Sequence, residues 1–190
     1  MYAPTNGAGV PGTERIWHPG VVAEISMATL DAEALTAQAW APFGWLPVAD
    51  TDPSDGRETL HYEWGDPHLN VIAHAADEVE HTADGLVCAG LYRHVTHTQA
   101  LMPINCVAVL AVAPAGHDFA SASGIAAVRA FRVAPFDVFV LARGTWHWGP
   151  FPLGPDAVRL LNVQGRRWAE DNEYADLAEL TGTVLDVRSA

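Results

Sequence analysis

Short apolar runs separated by turn residues dominate the chain. Candidate strands read at residues 60–64, 69–75, 85–94, 105–113, 127–133, 137–142 and 158–163. Gly and Pro punctuate them at 65–67, 114–116, 135, 143–144 and 149–154. Many short strands at this spacing predict an antiparallel sandwich or barrel. The run CVAVLAVA, residues 106–113, is apolar without alternation, as expected of a strand buried on both faces. Before these strands, residues 21–27 read as a short strand and Asp31 as the N-cap of a helix over 32–41. That helix would place Leu35, Ala39 and Trp40 on one side and stop at Pro42 and Gly44. Residues 50–57 form a polar turn, and 170–180 read as a final helix. Residues 1–20, rich in Gly, Pro, Thr and Asn, read as a mobile segment ahead of one domain over 21–190.

Composition narrows the function classes. The chain has 190 residues, 49% of them apolar, and a net charge of −13. That charge argues against nucleic-acid backbones and anionic membrane surfaces as partners. All ten basic residues are Arg. Without lysine, Schiff-base, pyridoxal-lysine and P-loop chemistry are excluded. The two cysteines, Cys88 and Cys106, lie in apolar runs with no CxxC spacing and read as buried free thiols. No signal-peptide pattern and no run of membrane-spanning length is visible, so the expectation is a soluble cytoplasmic protein. Residues 1–92 carry 2 Arg against 14 acids, whereas 93–190 carry 8 Arg against 9 acids. This asymmetry is either chance on a solvated surface or an Arg-lined pocket for a small anion in the second half.

Two clusters could carry chemistry. The first is Tyr92-Arg93-His94-Val95-Thr96-His97-Thr98-Gln99. On a regular strand Arg93, His97 and Gln99 would share one face and His94 the other, unless a bulge or turn scrambles the parity. The second is Arg143-Gly144-Thr145-Trp146-His147-Trp148, which follows an apolar strand. A Gly that makes a turn, followed three residues later by a His, resembles the second motif of cupin barrels. A metal reading would use His94, His97 and His147. The first cluster has no Glu to complete the usual cupin set, so by ligand count the site is poor.

Taken together, the pieces resemble the ureidoglycolate lyase family. Residues 35–44 resemble its N-terminal helix-to-Phe-Gly segment. Tyr92-Arg93-His94 with Thr98-Gln99-Ala100-Leu101-Met102-Pro103 resembles its Arg-His and Thr-Gln-Ala signature. Gly144-Thr145-Trp146-His147 resembles Gly-Val-Trp-His-His, and Glu170-Asp171-Asn172-Glu173 its Asp-Asn element. The chain departs from the pattern at His97, in the Arg166-Arg167 pair, and at Trp148, which stands in place of a second His.

The resemblance implies an all-β, cupin-like double-stranded β-helix barrel with an N-terminal helix and a short C-terminal helix, assembled as a homodimer. It implies cleavage of ureidoglycolate, a carbinolamine-type 2-hydroxy acid, to glyoxylate and urea. His94, His147 and Gln99 are the expected catalytic groups. Arg93 is the expected carboxylate clamp, with His97, Trp146, Trp148 and Arg143 around a small anionic substrate. Trp148 either walls the pocket, favouring a bulkier substrate, or packs in the barrel rim. No cofactor is required on this reading, or a divalent metal binds weakly. The rivals are a metal-dependent cupin dioxygenase or isomerase and a non-catalytic cupin that binds a small acid.

Overall fold

The apolar run at 106–113 sits at the centre of the architecture. The computed structural model describes residues 25–48 and 59–189. The expected mobile segment over 1–20 and the whole polar turn over 50–57 lie outside the described residues. In chain order the elements are β1 (Ser26–Ala34), α1 (Ala37–Trp40), β2 (Gly44–Trp45), β3 (Pro67–His74), β4 (Gly85–Cys88), β5 (Gly90–His94), β6 (Gln99–Pro103), β7 (Ala108–Ala113), β8 (Arg129–Val133), β9 (Phe139–Leu141), β10 (Trp146–Pro152), β11 (Val158–Gly165), β12 (Asn172–Asp176), α2 (Leu177–Thr181) and β13 (Thr183–Ser189). The fold is all-β, with few helices.

Two sheets form. One has eight strands in the order β12-β5-β10-β7-β8-β1-β13-β4, the other five in the order β2-β9-β6-β11-β3. Within them, β5-β10-β7-β8 and β3-β11-β6-β9 are antiparallel throughout. That is the jelly-roll order of cupin-like barrels. Ala108, Leu110 and Val112 of β7 face the five-stranded sheet and join Trp40, Phe43, Phe131, Phe139 and Leu160 in the barrel core. Val109, Ala111 and Ala113 face a second core with Cys88, Leu91, Trp146, Trp148, Leu177 and Leu185. All six β7 residues are buried, which is why the run shows no alternation. The large sheet curls enough that β4 and β5, far apart in strand order, are joined through Ala89 alone.

Both expected helices are largely replaced. Residues 32–34 continue β1, and only Ala37–Trp40 is helical, capped by the Thr36 hydroxyl rather than by Asp31. β1 runs parallel to both of its neighbours, β13 and β8, and not antiparallel as expected. Ala28, Leu30 and Ala32 alternate towards the second core, and burial on that period outweighs the helix propensity of Ala, Leu and Glu. Of the expected C-terminal helix, Asn172–Asp176 pairs with β5 as β12. α2 begins only where the Asp176 carboxylate caps the Glu179 N–H, and Gly182 ends it in the left-handed region at φ 68°.

The double burial of β7 predicts unequal costs for the same truncation. Leu110→Ala, in the barrel core, is expected to lose about 2–5 kcal/mol. Leu69→Ala, on the open face of β3 at 65% exposure, is expected to lose less than about 0.5 kcal/mol. Urea unfolding of the two variants checks this, and equal losses would contradict the assignment of the core.

Candidate functional site

The bend between β5 and β6 builds the site. β5 ends at His94, residues 95–98 leave the strand, and β6 resumes at Gln99. The bend is held by the neighbouring segment. Thr98 N–H donates to the His61 carbonyl at 3.0 Å, Glu63 N–H donates to the Thr96 carbonyl at 3.2 Å, and Tyr62 bridges His97. The parity of a continuous strand is broken, so His94, His97 and Gln99 all turn inward. The second motif locks onto the first, because Gly144 N–H donates to the His94 carbonyl at 2.6 Å. Gly144 does so at φ 77°, a conformation that suits glycine. Two residues into β10, His147 pairs with Val112 on one side and Tyr92 on the other, which places it on the barrel face of the sheet.

Three imidazoles meet there. The His94 and His97 rings stack at 4.6 Å between centroids, and His94 lies 5.3 Å from His147. A carboxylate joins them from the turn before β12. Asp171 Oδ2 accepts from Thr96 N–H at 2.8 Å and from the Thr96 hydroxyl at 2.6 Å, and lies 3.2 Å from His97 Nδ1. That last approach is off the line of a hydrogen bond. Both ring nitrogens of His97 and Nδ1 of His94 are therefore buried with no hydrogen-bond partner among the described residues. One donor atom each from His94, His97 and Asp171 lie within 4.8 Å of one another.

The five-stranded sheet holds a buried amide chain that starts at Gln99. Gln99 Nε2 donates to Asn162 Oδ1 at 2.9 Å and to Gln164 Oε1 at 3.1 Å, and Asn162 Nδ2 donates to Asn70 Oδ1 at 2.8 Å. Both hydrogens of the Gln99 amide are thus spent, and its Oε1 is a buried, unpartnered acceptor.

Burial holds the imidazoles neutral. His94 is pushed down to about 3, first by desolvation and then by the charge that His147 or His97 would carry; the Asp171 carboxylate only partly offsets this. His147 is pushed down to about 4 by desolvation, against the stabilising Thr145 carbonyl. His97 is also lowered, because burial outweighs Asp171. His147 Nδ1 lies 3.1 Å from the Thr145 carbonyl, which can only accept. The hydrogen of the neutral ring is therefore on Nδ1, and Nε2 presents its lone pair.

The structure brings His94, His97 and His147 together, places Gln99 in the amide chain of the five-stranded sheet, and separates the other expected site residues from them. Arg93, one residue from His94, lies on the opposite face. Its guanidinium covers the Trp146 ring at 4.3 Å, pairs with Glu173 at 2.6 Å and donates to the Ala115 carbonyl. Trp146 and Trp148 alternate away from the barrel with it, and Trp148 packs on Phe151 in the second core. The indole of Trp148 is therefore not a pocket wall, and neither Trp146 nor Trp148 is an exposed surface aromatic. Arg143 is exposed and pairs with Glu63. An Arg-lined pocket does not form from Arg93 and Arg143. Asp171 was not among the expected site residues, although it stands inside the Asp-Asn element. No family model and no curated protein matches the chain.

Room for His97 depends on Gly165. A Cβ at that position would lie 3.1 Å from His97 Nδ1 and 3.2 Å from its Cγ. Gly165→Ala is expected to cost about 1–3 kcal/mol by crowding the ring. The cost should vanish when His97→Ala is combined with it, since the double variant removes the clash. Thermal unfolding of the four proteins in the cycle checks this, and strictly additive losses would contradict it.

Proposed function

We propose that the protein is a carbon–nitrogen lyase of the ureidoglycolate lyase type, acting on a small carbinolamine-type 2-hydroxy acid. The observation that carries the reading is His147. Its Nδ1–H is tied to the Thr145 carbonyl, which leaves Nε2 unprotonated, and Gln99 Oε1 on the neighbouring sheet is a buried acceptor with no partner among the described residues. The ordered motifs around His94, Gln99, His147 and Asp171, on a jelly-roll barrel, support the same family.

In the proposed reaction His147 Nε2 takes the proton of the substrate hydroxyl. The carbonyl forms as the C–N bond breaks, and the bond's electron pair goes to the departing nitrogen. That nitrogen receives the proton back from His147, releasing urea and leaving glyoxylate. The step is proton-balanced and consumes neither water nor a redox equivalent. Gln99 Oε1 accepts a ureido N–H, a donor that suits an unpaired amide oxygen. Arg93 has no part in this scheme, which revises the expectation of a carboxylate clamp at that residue. The resemblance also carries a cytoplasmic homodimer. No helix among the described residues is long and apolar enough to cross a membrane.

Incubation with ureidoglycolate is expected to release urea and glyoxylate in equal amounts. His147→Ala is expected to lower kcat/KM by about 10²–10⁴-fold. Arg93→Lys is expected to stay within about twofold, because the side chain lies behind the sheet. Absence of urea release by the folded wild-type chain would overturn the reading. The rival reading is a metal-dependent barrel dioxygenase or isomerase, and the grouping of His94, His97 and Asp171 favours it. Oxygen uptake without urea release would install it instead.

A sedimentation profile at micromolar protein is expected to show the dimer. A profile holding only a 20.4 kDa species would remove the dimer from the proposal.

A further inference from the structure

We infer that Asn70, Asn162 and Gln164 are positioning residues that fix the polarity of the Gln99 amide, so that the wall there selects a ligand offering N–H donors and refuses a carboxylate. The inference deepens the lyase reading by assigning which end of the substrate faces the five-stranded sheet. It rests on that reading for the identity of the ligand, and the binding measurement below stands apart from turnover.

The amide chain spans three adjacent strands. Gln99 opens β6, Asn162 and Gln164 lie on β11, and Asn70 lies on β3. Asn162 and Asn70 are cross-strand partners. One inward step away, Leu160 and Ile72 are partners in turn and belong to the barrel core. Apolar side chains at the amide positions would extend that core. Instead Gln99 is 6% exposed, Asn162 0% and Gln164 6%. Buried polar groups persist where they are hydrogen-bonded, and these amides bond to one another.

Every bond in the chain runs the same way. Gln99 Nε2 donates to Asn162 and Gln164, and Asn162 Nδ2 donates on to Asn70. An amide offers donors at its nitrogen and acceptors only at its oxygen. Turning Gln99 alone would set its oxygen against Asn162 Oδ1 and Gln164 Oε1, acceptor against acceptor. Turning Asn162 alone would set its N–H groups against those of Gln99 and its oxygen against Asn70 Oδ1. Reversal therefore requires all four amides to turn together. Low local dielectric and mutual polarisation of the bonds raise the cost of turning any one of them.

The atom left over is Gln99 Oε1, buried and without a partner among the described residues. An acceptor held in that orientation is satisfied by an N–H and repelled by a carboxylate oxygen. A ureido group carries N–H on both of its nitrogens, whereas the carboxylate of the same substrate carries none. The ureido end therefore faces Gln99, and the carboxylate lies away from the five-stranded sheet.

The test compares two probes by calorimetry on the full chain. Ureidoacetate lacks the hydroxyl that cleavage needs, and succinate puts a methylene and a carboxylate oxygen in place of the ureido N–H and NH₂. The wild type is expected to prefer ureidoacetate by about tenfold or more. Gln99→Glu is expected to keep that preference. An ionised Glu turns its neighbours to donate and a protonated one donates to them, and either leaves an oxygen free. Gln164→Leu and Asn70→Leu each remove an acceptor from the chain and are expected to cut the preference to about threefold or less. Gln164→Glu and Asn70→Asp keep that acceptor and are expected to retain the wild-type preference, which a merely structural role would not separate from the Leu variants. Circular dichroism checks the fold of each variant, and Gln164→Met replaces Gln164→Leu where the latter does not fold. Equal affinity of the wild type for the two probes, or no saturable binding of ureidoacetate, would overturn the inference. Loss of ureidoacetate binding in folded Gln99→Glu would also overturn it, since the amide would then be a donor. Preference for ureidoacetate without urea release from ureidoglycolate would leave the amide chain's role standing and remove the lyase reading. Urea release by a wild type that binds succinate equally well would do the opposite.

Discussion

The two-sided burial of β7 is the constraint on which the rest depends. A strand with apolar neighbours on both faces cannot carry a polar side chain on either. Its antiparallel partner β10 then takes the division of labour. Trp146 and Trp148 fill the second core, and His147 is the residue left to face the barrel. β5, one strand further out, inherits the same alternation, which sends His94 in and Arg93 behind. The chemistry of the pocket is thus set by a run of small apolar residues that never touches it.

The barrel interior is mixed. Trp40, Phe43, Phe131 and Phe139 pack against one another, mostly edge to face. Gln99, Asn162 and Gln164 share the inward rows of β6 and β11 with Leu101 and Leu160. The apolar core provides the stability against which the unpaired buried polar atoms can be held. Local cost at a pocket offset by a well-packed core elsewhere is the pattern expected of a site whose groups wait for a ligand.

Much of this was legible in the sequence. The apolar run announced the burial of residues 108–113, and His147 lies on the barrel face that the Gly-x-x-His spacing after an apolar strand suggests. The inward turn of His94, His97 and Gln99 was legible only as a choice, because Arg93 and His94 are adjacent and a single bend decides which of them faces inward. That bend is fixed by residues 61–63, which are more than thirty positions away and carry no local signal. The helices expected at 32–41 and 170–180 rested on the propensities of Ala, Leu and Glu. Pairing with β13 and β5 overrode them. Asp171 went unseen for the same reason: its place in the site exists only once β12 has paired.

The pairing of β1 with β13 has a bearing on how the chain is made. Ser26 and Thr183 are hydrogen-bonded neighbours separated by 157 positions. During synthesis at about 5–20 residues per second, β1 leaves the ribosome roughly ten to thirty seconds before this partner exists. Its other neighbour, β8, emerges earlier and offers only the three-residue register at Ala32–Ala34. The second core, which β13 lines with Leu185 and Val187, therefore closes after translation of the barrel strands. Until then, the strands of the large sheet next to β13 present an open edge to whatever else is in the cell.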